Sequence, residues 1–194
     1  MFQNIDEAIE ILLEKFPKLD NSWFVISISQ KGDKIAEKIA NRFNLGSDRL
    51  FLQSVPCPHN MDCKIAVISE FEDIIFNKPI KESFDIDSDS LIETIKVIYD
   101  YKLRQDLKAY RGETRNLEMP EYISKVILVD NQIETGFSME LALESMQRFN
   151  IDEVLIASIL IPEYIEPIFK QENTKLICSQ KIEFYTEFDD YFIE

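Results

Sequence analysis

The chain is poor in basic residues, in glycine and in the means to staple itself or cross a membrane. Of 194 residues, 21 are Lys or Arg against 36 Asp or Glu, a net charge of −15, and no basic block stands out. Duplex nucleic acid and anionic membrane are therefore poor partners, because binding them draws on clustered Lys and Arg. An anionic small molecule would need a metal ion or backbone donors to offset the repulsion. Three cysteines, an odd number, argue for free thiols rather than a disulfide framework. No apolar run approaches the roughly 20 residues that span a bilayer. The start "MFQNIDEAIEILLEKF" lacks the basic opening and apolar core of a signal peptide, so a cytoplasmic location is expected.

What is present is enough apolar content, 45%, to bury one core, with no internal repeat, low-complexity tract or linker. A single domain over 1–194 is expected. The acidic and apolar residues of the first segment fall at helical spacing. "SWFVISIS" (22–29) then reads as a strand, and "GDKIAEKIANRFNLG" as a loop and helix with Gly46 as C-cap. "RLFLQSV", "KIAVISEF" and "DIIFN" are short strand candidates. The stretch 89–109 has helical periodicity at Leu91, Ile92, Ile95, Ile98, Leu103 and Leu107, preceded by "KESFDIDSDS" as a loop. The second half alternates again: strand 125–130, helix 136–149, strand 153–160, a helix opening at Pro162 and strand 174–178. Such alternation predicts an α/β fold with a mostly parallel sheet covered on both faces. The tail "KIEFYTEFDDYFIE" reads as a hood or edge strand. Only four glycines occur, and Gly32 and Gly136 fall in strand-to-helix loops on the carboxyl edge of that sheet, where ligands bind.

The segment "VILVDNQIETGFSMELALESM" (126–146) carries the clearest chemistry. A strand ending near Asp130 and a helix starting near Gly136 would present free backbone N–H groups, plus the hydroxyls of Thr135 and Ser138, as a phosphate cradle. Asp130 and Asn131 could accept from and donate to a vicinal diol, so diol beside phosphate suggests a ribose phosphate. The plainer reading, that Asp130 and Ser138 only cap a helix, stands beside it.

"VILVDNQIETGFSM" resembles the phosphoribosyl-diphosphate motif of type I phosphoribosyltransferases: an apolar strand, two acids, three variable residues, Thr-Gly, one residue, then Thr. The matching positions are Asp130, Thr135, Gly136 and, conservatively, Ser138. "VISISQKGDKIAEKIANRFNL", "KIAVISEFEDIIFN" and "KAYRGETR" resemble, in the same order, segments of predicted bacterial members. The resemblance implies a Rossmann-like three-layer core with a small hood from the chain termini, and transfer of a ribosyl 5-phosphate between diphosphate and a nitrogen nucleophile. Carried over by position, Asp130 is the catalytic acid, and Asp130 and Asn131 bind the ribose. Thr135, Gly136, Phe137 and Ser138 bind the 5-phosphate, and Gln30, Lys31 and Gly32 the diphosphate, with Arg111 reaching it from a mobile loop. Mg2+ would bridge diphosphate and ribose, and no protein metal site is implied. A small ribose phosphate or nucleotide is the expected partner, and a homodimer is one option for assembly.

Asn131, Glu134 and Phe137 depart from the motif, and the first loop has Gln30 where a cation would be expected. A ligand-binding or regulatory protein that keeps the fold and has lost the reaction is the second reading. Other constellations are weaker. "GFSME" resembles a nucleophile elbow, but Glu140 replaces its last glycine and the single histidine, His59, precedes it. Cys57, His59, Cys63 and Cys178 could hold zinc, though the spacing fits no common module. A receiver domain would need an acidic cluster where "SISQKG" has none.

Overall fold

A computed structural model describes every residue except 59, 85, 87, 114, 170, 171, 185 and 194, and gives no side-chain environment at 62 and 88–90. Helix α1 (Ile5–Leu13) leads to strand β1 (Trp23–Ser27), helix α2 (Asp33–Phe43) and strand β2 (Gly46–Arg49). Strands β3 (Leu52–Cys57), β4 (Asn60–Ser69) and β5 (Ile74–Phe76) follow, then helices α3 (Lys78–Ser83), α4 (Ser88–Ile98) and α5 (Arg104–Arg111), the last two joined through a π-helical turn at Tyr99–Leu103. The remainder is β6 (Lys125–Gln132), α6 (Phe137–Met146), β7 (Glu153–Pro162) and β8 (Thr174–Ile182).

Five strands form a parallel sheet in the order β2-β1-β6-β7-β8. Both faces are covered, which is why the runs 23–26 of β1 and 126–129 of β6 are continuously apolar rather than alternating, with polar Ser27, Asn131 and Gln132 buried only toward the carboxyl ends. Trp23, Val25, Ile127 and Val129 pack on the side of α1 and α2, with Ala8, Leu12, Ile35 and Ile39. Phe24, Ile26, Val126 and Leu128 pack on the other, against Met139, Ala142 and Met146 of α6. The sheet makes the fold α/β, as expected from the sequence.

A second, antiparallel sheet, β3-β4-β5, carries its own core with α4 and α5, centred on Val55, Ile65, Leu91, Ile95, Leu103 and Leu107. Through β4 and β5 it also touches α6. This layer, inserted in mid-chain, is larger than a hood built from the termini. The chain ends do meet: Phe2 bridges Phe192, and Phe188, Tyr191 and Phe192 pack on the main core.

Three local expectations are corrected. Asn44, not Gly46, takes the left-handed position ending α2 (φ 54°), while Gly46 opens β2 under the Phe24 ring, 2.7 Å from where a Cβ would stand. Pro162 ends β7 instead of opening a helix, and only a 3-10 turn follows, at Glu166–Phe169. The start of "KESFDIDSDS" is helical through Ser83, whereas positions 85 and 87 lie outside the described residues.

Candidate functional site

The strand order reverses direction between β1 and β6: the chain steps from β1 outward to β2, then returns to the far side of β1. At such a switch point the loops leaving adjacent strands diverge and open a crevice at the carboxyl edge. Here the two segments are the loop 29–32 and the stretch 130–138, which runs from the last residues of β6 through the turn into α6.

They are stitched together at their bases. Ile28 N–H donates to Val129 O at 3.0 Å, and the Ser29 hydroxyl donates to Asp130 Oδ1 at 2.5 Å. Gly32 N–H closes the first turn on the Ser29 carbonyl (3.1 Å) and hydroxyl (3.0 Å). A Cβ on Gly32 would stand 3.0 Å from Val129 O and 3.3 Å from the Asp130 Cα, so any other residue would push the two segments apart by a few tenths of an ångström.

The second loop ends on Gly136, the N-cap of α6, at φ 84°. The opening N–H groups of a helix have no intrahelical acceptor, and a glycine cap brings no side chain to answer them. The residues that carry them, Phe137, Ser138 and Met139, line a cleft of about 630 Å³ together with Thr135 and Gly136. Its opposite wall, from the inserted layer, is apolar at Leu52, Ala66, Val67 and Ile80 and polar at Ser54, Lys64 and Asn77. Glu187 and Phe188 of the C-terminal segment add the contribution of the chain ends.

Asp130 is partly buried in the cleft wall. Burial pushes its pKa up from 3.8 to about 6, opposed by the hydrogen bonds from Ser29 and from the Asn131 N–H (2.8 Å). The charge of Glu134 adds to the rise, and that of Lys64 opposes it. At neutral pH the carboxylate is mostly ionised, able to accept from hydroxyls or to stabilise a nearby positive charge.

Most of the residues singled out in the sequence converge. Gln30 and Lys31 stand exposed on the rim, and Asp130, Asn131, Thr135, Gly136, Phe137 and Ser138 line the cleft. Gly32 lies buried in the turn beneath. Arg111 is the correction. It ends α5 and its side chain is 4% exposed, paired with Glu70 at 3.0 Å and Asp48 at 3.3 Å and donating to the carbonyls of Arg49 and Arg115. A guanidinium with four such partners is a latch between layers, and it does not line the cleft.

Ser29 and Lys64 are the site residues that the sequence did not disclose. Ser29 borders the 30–32 loop without a motif position of its own and Lys64 lies in the separate antiparallel sheet, so only the tertiary fold brings each to the cleft. Of the thiols, Cys57 is buried in the antiparallel layer's core and Cys178 in that of the main sheet, so the structure does not bring them together. Cys63 is half-buried on the cleft wall. His59 lies outside the described residues, among which no group of three or more metal-ligating side chains occurs.

Neither a protein-family model nor a curated protein matches the chain. Solved structures do. The protein TT1426 of Thermus thermophilus superposes with a TM-score of 0.72 at 19% identity, over 98% of this chain and 89% of that one. Adenine phosphoribosyl transferase of Trypanosoma brucei, solved with AMP, pyrophosphate and ribose-5-phosphate, gives 0.51 at 9% identity, over 92% of this chain and 65% of its own. The fold is type I phosphoribosyltransferase-like. A Neisseria gonorrhoeae protein solved with bound ppGpp gives 0.50 at 12% identity, over 95% and 85%. Among the described residues no helix is long and apolar enough to cross a membrane.

Proposed function

We propose that the cleft binds a ribose 5-phosphate group, carried by a nucleotide or by phosphoribosyl diphosphate, at the strand–loop–helix 126–138. One observation carries this reading: an acid at the end of β6 and the uncapped start of α6 open into the same cleft at the switch point of the sheet. Asp130 and Asn131 would take the ribose hydroxyls. The N–H groups from Gly136 onward, with Thr135 and Ser138, would take the phosphate.

Transfer of the phosphoribosyl group to a nitrogen nucleophile is the activity this arrangement would support. The C1–oxygen bond to diphosphate breaks as the C1–nitrogen bond forms, positive charge grows on the ribose, and ionised Asp130 stabilises it. Mg2+ would enter on the ligand's diphosphate, since it binds through one or two carboxylates plus phosphate oxygens and Asp130 is the carboxylate at the ribose position. Bound there, it would neutralise the leaving diphosphate.

Turnover is expected to be weak. Gln30 stands where a cation would face the diphosphate, Asp33 is close by in sequence, and Arg111 is engaged elsewhere. The same facts favour the second reading, a nucleotide-binding regulatory protein, and the fold neighbour solved with ppGpp gives that reading a ligand class. Calorimetric titration with ribose 5-phosphate, AMP, ppGpp and phosphoribosyl diphosphate, with and without Mg2+, tests the binding. Diphosphate release against purine, pyrimidine and amine acceptors then separates enzyme from sensor. No heat with any of the four ligands would overturn both.

A further inference from the structure

Reading the cleft as a ribose-phosphate site leaves one charge at odds with it. Glu134 stands immediately before Thr135 and Gly136 and lines the same cleft, where it would repel an arriving phosphate. Its carboxylate does not stand alone. Lys64 Nζ lies 3.6 Å away, carried by β4 on the opposite wall, so the pair bridges the inserted antiparallel layer and the phosphate loop. Lys64 lines the cleft as well, and its charge is felt at Asp130. Among the described lining residues the only other cation is Lys31, on the 29–32 loop.

Resting on the ribose-phosphate reading, we propose that Lys64 is the counter-ion of the bound phosphate and that Glu134 holds Lys64 in the empty cleft. Ligand entry then exchanges one partner of Lys64 for another. Both side chains are about half exposed, 55% and 45%, and ion pairs of that kind are weak because water screens them. A phosphate monoester dianion offers Lys64 more charge and more acceptor oxygens than one carboxylate, and gains the helix-start N–H groups in the same step. The exchange therefore runs downhill for a dianion. A singly charged diester offers little more than Glu134 already does, so the pair acts as a filter in favour of monoesters.

The geometry also gives the inserted layer a role. Its strand β4 supplies the cation while Leu52, Ala66 and Val67 supply the apolar wall, so phosphate binding would tie that layer to the loop of the main sheet.

The test is titration of ribose 5-phosphate, at fixed salt, into wild type, Lys64→Met, Glu134→Gln and the double variant. Because both side chains are exposed, all three variants should fold as wild type does, and unfolding midpoints check it. Lys64→Met should weaken binding about tenfold, the loss of one charge-assisted bond, and Glu134→Gln should tighten it by about threefold or more. On the Lys64→Met background the gain from Glu134→Gln should shrink to less than half on a logarithmic scale, because there is no longer a lysine to release. Binding by wild type that Lys64→Met leaves unchanged would overturn the proposal alone. So would an equal gain from Glu134→Gln on both backgrounds, which is what simple repulsion gives. Absence of binding in every variant and in wild type would instead overturn the ribose-phosphate reading, and this proposal with it.

Discussion

Glu70 and Asp130 both stand at strand ends, and burial pushes both carboxyls toward the protonated form, yet their surroundings differ in kind. Glu70 is fully buried and its two oxygens are answered all round. Arg111 Nη1 donates to both, at 3.2 and 3.0 Å, and the N–H groups of Phe51 (3.2 Å) and Leu117 (2.6 Å) complete the set. Asp130 has two donors among the described residues, both on one oxygen, and a cleft on its other side. Closed satisfaction marks an acid that holds the fold together. Open satisfaction at a switch point marks one available to a ligand. The same contrast explains Arg111: its charge is committed to Glu70 and Asp48, and little is left to offer a diphosphate.

The contrast is broken most directly at the latch. Arg111→Met leaves Glu70 buried without its cation and should lower unfolding free energy by about 3–5 kcal/mol in urea titration. The folded fraction should bind ribose 5-phosphate as wild type does. Unchanged stability with lost phosphoribosyl diphosphate affinity would return Arg111 to the cleft.

At Asp130 the sign reverses. The folded protein holds this proton more tightly than the unfolded chain, about 6 against 3.8, so the stability the group contributes is present below 3.8 and is lost as pH rises through about 6. Asp130→Asn can still accept from Ser29 and Asn131. It should therefore stabilise the protein by up to roughly 3 kcal/mol near neutral pH, with a gain that fades as pH falls toward 4. Thermal unfolding of both proteins across that range measures it, and ribose 5-phosphate affinity should fall in the same variant.

Two left-handed glycines sharpen the comparison further. At Gly136 (φ 84°) an added Cβ meets the Phe169 ring at 3.1 Å, whereas at Gly112 (φ 76°), the cap of α5, it meets nothing within 4 Å. Gly136→Ala should cost about 1–3 kcal/mol and weaken phosphate binding, while Gly112→Ala costs only the backbone strain, about 1 kcal/mol, and leaves binding intact. The smallest effect on stability is expected at the rim. Gln30→Arg should shift it by less than about 0.5 kcal/mol, yet tighten phosphoribosyl diphosphate about tenfold and leave ribose 5-phosphate nearly unchanged.

The parallel core was legible because β1, β6, β7 and β8 are short apolar runs between turn signals. Strand β2 was not, since "GSDR" is a polar sheet edge and the apolar signal begins only beyond it, at Leu50 and Phe51. The long helix was legible, but its π turn was not. Buried Leu91, Ile95, Leu103 and Leu107 recur in multiples of four residues, and on a straight α-helix each such step drifts about 40° around the axis. The wider turn at Tyr99–Leu103 takes back that drift and keeps the stripe on the core. The loop around Asp130 could be read because strand, acid, turn glycine and helix are contiguous. Lys64 and the Glu70 partner of Arg111 could not, because only tertiary pairing brings them to the cleft and to the latch.

Backbone amide NMR of the isotopically labelled protein, titrated with ribose 5-phosphate, tests the central claim most directly. Saturable shifts should concentrate at Asp130, Asn131 and Gly136–Met139, where the carboxyl end of β6 meets the start of α6, with the Glu70–Arg111 latch unmoved. Saturable shifts centred anywhere else, or none at millimolar ligand, would contradict the assignment of the switch-point cleft as the site.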